Sequence, residues 1–202
     1  MLRSLVRRSP WFAVSLIGLT LLTGIVLLIA PFNQARAYNT CDRRGYCGSH
    51  WYIPTVSWRD DTGWSGASAQ AISDSGLRWH YASSLNLSQY QGAGPVNASV
   101  SLAAMGTSYD PGVTYTYWNV SDPHEVIQAN SYLNSSWSWN TSGYLNQSTA
   151  QADVRTVTLH EMGHWMFLGH DPYHAEAVMW PNYVQKWYLA TDDINGMWAL
   201  YP

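Results

Sequence analysis

Charge is what this chain has least of. Asp, Glu, Lys and Arg together supply 11% of its 202 residues, and the formal net charge is −3. That excludes the basic surface a nucleic-acid-binding protein needs. Cysteine is limited to Cys41 and Cys47, glutamate to Glu125, Glu161 and Glu176, and no internal repeat is present. Aromatics fill the space instead, with 12 Trp and 14 Tyr. Together with abundant Ser, Asn and Thr, they suit a β-rich extracellular protein with an uncharged polar surface.

The amino terminus agrees with export. Arg3, Arg7 and Arg8 precede an apolar run from Phe12 to Ala30, and Ala35-Arg36-Ala37 forms an A-x-A cleavage site. Residues 1–37 thus read as a signal peptide with a mature start at Tyr38. As a helix the run would cover about 28 Å, close to the bilayer core, so an uncleaved membrane anchor is the alternative. Either way residues 38–202 form one folded domain outside the cytoplasm, secreted in the first case and membrane-tethered in the second. Cys41 and Cys47 can close a small disulfide loop there. Alternatively, Cys47 acts as a thiolate plug on a metal.

Along the chain, His50–Trp58 reads as an opening or edge strand containing a proline. A helix is expected over residues 68–81, weakened by Ser73-Asp74-Ser75-Gly76, with Trp79 and Tyr81 as core. Short β-prone runs follow at 96–103, 113–120 and 126–133, separated by Gly-, Pro- and Asp-rich turns. One of these strands should border a substrate cleft. Residues 135–148 form a polar loop whose Trp137 and Trp139 lean toward core. Six Asn-x-Ser/Thr triplets begin at Asn86, Asn97, Asn119, Asn134, Asn140 and Asn146, and would carry glycans only in a host that glycosylates secreted protein. Asp153 is a natural cap for a helix beginning VRTVTLHEMGHWMF, with Val154, Val157, Met162 and Phe167 on its apolar side.

That helix carries the chemistry. His160 and His164, four residues apart, stack on one helical face and can occupy two corners of a zinc tetrahedron. Glu161 lies beside the first, where its carboxylate reaches a metal's water without ligating. His170 is a candidate third ligand, but a straight helix would place it roughly 240° away from that face. The chain must therefore turn first. Beyond it stand AVMWPNY at 177–183 and TDDINGMWALYP at 191–202.

HExxH with a later His, followed by these two segments in order, resembles the matrixin branch of the metzincin zinc peptidases. The resemblance implies an α+β fold: a mostly antiparallel twisted sheet, a zinc-binding helix, a Met-turn and a C-terminal helix. It implies one catalytic Zn²⁺ on His160, His164 and His170, and Met179 in the turn beneath the metal without ligating it. It also implies a substrate pocket at Pro181, Asn182 and Tyr183. Asp192 and Asp193 favour the start of the last helix, and by the resemblance one of them can pair with the mature amino terminus. Calcium is conceivable, but no loop pattern supports it, and the family's second zinc site is not matched around His124. His50, His80, His124 and His174 read as ordinary polar residues. The chain departs from the family at Phe167, which occupies the place of a glycine that turns the chain toward the third histidine. We expect the turn to fall at Gly169 instead, with Phe167 still helical and packed.

These features together indicate a secreted zinc endopeptidase acting on extended polypeptide, with Glu161 as general base. A non-catalytic metzincin-like binding protein and another exported zinc hydrolase, such as a peptidoglycan amidase, are the alternatives.

Overall fold

The computed structural model describes Thr40 and residues 47–202. The expected signal segment, its cleavage site and Cys41 lie outside the described residues. Cys47 is disulfide-bonded, which removes it as a metal plug.

Six strands form the main sheet: β1 (His50–Trp51), β2 (Thr55–Asp60), β3 (Asn86–Gln89), β4 (Ala98–Ala103), β5 (Gly112–Asn119) and β6 (Asp122–Asn134). Helix α1 (Gly66–His80) joins β2 to β3. The expected helix therefore forms, starting two residues earlier and ending one earlier than predicted, and its polar stretch is engaged. Ser75 Oγ donates back to the Ala71 carbonyl at 2.8 Å, Ser73 bonds Gln89, and Asp74 pairs with Arg155 at 2.8 Å. Trp79 is fully buried, but Tyr81, expected in the core, is 78% exposed just past the helix end.

The sheet is the main correction to the sequence reading. It is mostly parallel rather than antiparallel: β2 runs parallel to β3 and β4, β4 to β6, and β1 to β6. Only β5, against β6, is antiparallel. The antiparallel expectation came from the resemblance, and only the β5–β6 hairpin meets it. Between β2 and β3 the crossover through α1 returns the chain to run in the same direction. After β4 the chain bypasses the adjacent position, which β6 later fills, and lays β5 on the far side of β6. The opening run also splits at Pro54, and β2 is an interior strand between β3 and β4, not an edge.

Asn134, at the end of β6, holds the segment entering β5. Its amide donates to the carbonyls of Gly106 and Asp110, while its oxygen accepts from Met105 N–H. This residue is fully buried, so its triplet is closed to a glycan. A small parallel pair, β7 (Ser138–Asn140) and β8 (Gln151–Asp153), forms inside and beyond the expected loop. It buries Trp137 and leaves Trp139 half-buried.

Helix α2 (Val154–Trp165) follows β8 directly, capped as expected by Asp153, whose Oδ1 accepts Thr156 N–H at 2.8 Å. It packs between α1 and strands β5 and β6. Tryptophans line this core with their N–H groups satisfied: Trp79 on Leu159 O, Trp51 on Trp165 O and Trp165 on Ser131 Oγ, each at 2.8 Å. A buried indole without such a partner would lose the free energy of a hydrogen bond to water. Helix α3 (Thr191–Leu200) closes the domain.

Candidate active site

The histidines of α2 are held by backbone carbonyls. His160 Nδ1 donates to Val178 O at 2.7 Å and His164 Nδ1 to Leu168 O at 2.8 Å. A carbonyl can only accept, so each Nδ1 carries the proton and each Nε2 keeps its lone pair. The ring centroids of His160, His164 and His170 lie 5.0–5.1 Å from one another. His160 Nε2 and His170 Nε2 are 3.1 Å apart. Two nitrogens on a tetrahedral zinc with bonds of about 2.05 Å would be about 3.3 Å apart, so the donor set fits this ion. Burial, and then the neighbouring His164 and His170, hold the His160 pKa well below its ordinary value, favouring the neutral form that binds metal.

His170 reaches the other two histidines by a turn that differs from the expected one. Helix α2 ends at Trp165, and Phe167 adopts φ +63°. Leu168 N–H bonds Gly163 O and Phe167 N–H bonds His164 O, both at 3.1 Å. This is a Schellman motif with Phe167 in the left-handed position usually given to glycine. Gly169 does not make the turn, and Phe167 is not helical. The left-handed conformation costs a non-glycine residue about 1–2 kcal/mol. The Phe167 ring is 5% exposed and stands edge-to-face on Trp118, centroids 5.9 Å apart. Burying a phenylalanine side chain contributes about 1.5–3 kcal/mol, enough to offset that strain.

Glu161 is buried and gripped at both oxygens. Thr114 on β5 donates to Oε2 at 2.6 Å and the Tyr183 hydroxyl donates to Oε1 at 2.6 Å. Behind Thr114, a 2.7 Å bond to Ser131 and the Trp165 indole complete a relay. A Cβ on Gly112 would sit 2.8 Å from Glu161 Oε1, so only glycine lets β5 approach the carboxylate this closely. Burial, and then the Glu161 charge, push the Tyr183 phenol well above its ordinary pKa.

Met179 lies beneath the site, where a Cβ on Gly163 would run into its sulfur and come within 3.0 Å of the Trp79 ring. The turn is tied to α3 by buried Asp193, which accepts the N–H groups of Val178, Met179 and Ala190 at 2.8–3.1 Å. Asp193 thus acts as a backbone anchor. Asp192 faces Asp171 and His174. His174, read as an ordinary polar residue, bonds Asp171 at 2.7 Å.

A cleft of about 1000 Å³ opens over these groups, lined by β5 from Gly112 to Thr116, by Glu161, His164 and His170, and by Pro181 and Tyr183. Asn182 is exposed and does not line it. Sequence reading missed Thr114, Gly112 and Asp171. Each acts across the fold, and no local pattern marks them.

Three imidazoles converging beside a glutamate on one helix define a site of the zinc-dependent hydrolase class. The matrixin family model (Peptidase M10) matches residues 59–202, and the chain belongs to that family. Membership implies zinc-dependent peptidase activity on polypeptide. No curated protein is similar enough to add a second comparison.

Proposed function

We propose that this protein is an endopeptidase that hydrolyses extended polypeptide with Glu161 as general base and His160, His164 and His170 as zinc ligands. The observation that carries this reading is the convergence of the three imidazoles beside Glu161 in a cleft bordered by an edge strand. Zinc held there would supply a Lewis acid that polarises the scissile carbonyl and lowers the pKa of water toward about 7. Glu161 accepts the proton of the attacking water and returns it to the leaving amine. Thr114 and Tyr183 hold that carboxylate in one orientation during both transfers. An extended peptide adds to the free edge of β5, the simplest way to satisfy its backbone in the cleft. Pro181 and Tyr183 meet a substrate side chain beside the scissile bond.

A non-catalytic binding protein would be favoured if Phe167, in the family's glycine place, displaced the third ligand. His170 stands 3.1 Å from His160 with Phe167 in place, which removes that support. Glu161→Gln tests the mechanism. Hydrolysis should fall at least the roughly 10²–10⁴-fold typical of general acid–base catalysis, with zinc content unchanged; substantial turnover in a zinc-loaded variant removes Glu161 from its role.

Secretion after cleavage at Ala37 is part of the same proposal, supported by the sequence alone. Amino-terminal sequencing of exported material should begin at Tyr38, and a retained Met1 on membrane-bound protein would replace secretion with anchoring.

A further inference from the structure

We propose that Phe167 and Trp118 together are positioning residues for the metal centre, their contact pinning the turn on which two of its three ligands depend. The inference rests on the zinc reading of the site. The left-handed turn at Phe167 sets the Leu168 carbonyl, which accepts His164 Nδ1 at 2.8 Å, and it redirects the chain toward His170 three residues later. A phenylalanine keeps such a backbone only while its surroundings hold it. The holding contact is the edge-to-face packing of its buried ring on Trp118, with interplanar angle 86°.

Trp118 is itself specially placed. The β5–β6 register slips on both sides of it, since Tyr117 pairs with Gln128 but Trp118 with Val126. Ile127 is the extra residue, and such a bulge re-aims the facing side chain. Strand β5, which borders the cleft, is thereby fastened to the turn that delivers the third ligand. A glycine at position 167, as the family has, would make the turn without strain, whereas this chain uses an aromatic contact to β5.

The test is zinc release to a chelator, read with the visible spectrum of the cobalt-substituted protein and with thermal unfolding. Phe167→Ala and Trp118→Ala should each release zinc at least tenfold faster, within the range that outer-shell partners command. The double variant should be little worse than the poorer single, because both remove one contact. Phe167→Gly should fall between wild type and Phe167→Ala, losing the ring but not suffering the left-handed penalty. Phe167→Leu and Trp118→Phe keep part of the contact and should release zinc about threefold faster; they carry the test should an alanine variant fail to fold. Cobalt spectra should shift in the same order as the release rates. A lower melting temperature with zinc release and cobalt spectrum unchanged overturns the proposal and leaves Phe167 as packing alone. So do independent, multiplicative effects of the two alanines. A wild-type protein that binds no zinc overturns the functional reading as well; one that binds zinc and cleaves peptide while the variants match it overturns only this inference.

Discussion

Thr114 donates a 2.6 Å hydrogen bond to Oε2 of Glu161, joining the edge strand of the sheet to the carboxylate of the metal-site helix. A hydroxyl has one proton, and the short contact to a carboxylate takes it. Ser131 therefore donates to Thr114 and receives the Trp165 N–H in turn. The Glu161 carboxylate, the proposed general base, is thus aligned by a chain that begins in the core.

Thr114→Val keeps the size and β-branching of the residue but breaks this chain. A hydrogen bond to a charged group contributes about 1.5–3 kcal/mol, so kcat should fall at least tenfold while zinc content holds. Steady-state kinetics beside metal analysis decide it. A variant with wild-type kcat would show that Glu161 needs only Tyr183.

Gly163→Ala should damage the floor of the site without touching a ligand. The added methyl meets the Met179 sulfur and the Trp79 ring. Overpacking of this kind costs about 1–3 kcal/mol, seen as a fall of several degrees in Tm. Adding Met179→Val, which shortens the opposing side chain, should recover part of the loss.

Asp192→Asn should change how stability depends on pH. Burial first, and then Asp171, push the Asp192 carboxyl from 3.8 up to about 7. The folded protein therefore holds this proton more tightly than the unfolded chain. Its contribution is fully present below about pH 4 and is lost as pH rises through about 7. Asparagine cannot ionise, so with both proteins zinc-saturated the variant should gain on wild type from pH 4 to pH 7 and then hold a constant lead. At Asp171 burial is outweighed by the Tyr173 N–H, Asp192 and His174, which hold its carboxyl below the usual range. Its effect has the opposite sign, and because Asp192 is one of its partners the substitution alters it too, so the pH-dependent gap reads the Asp171–Asp192 pair. A gap that does not vary with pH removes Asp192 as the responsible group.

His160, Glu161 and His164 were legible because helical spacing alone puts the two imidazoles on one face. The Asp153 cap was legible because it acts within three residues. Sheet direction was not: strand-like runs show where strands lie but not the order in which they meet. The turn at Phe167 was misread for a related reason. Backbone preference disfavours a left-handed phenylalanine, and only Trp118, 49 positions earlier in sequence, outweighs it.

By itself, the sequence determined the helix that carries His160, Glu161 and His164, the candidacy of His170 and the matrixin-like ending, because these rest on interactions within a few residues or on motifs in order. The tertiary structure decided the parallel sheet, the edge strand that faces the cleft, the hydroxyl grip on Glu161 and the anchoring of the Met179 turn by Asp193. Each of those depends on groups distant in the chain whose meeting is set by burial of the shared tryptophan-rich core, a non-directional force that leaves no local signature.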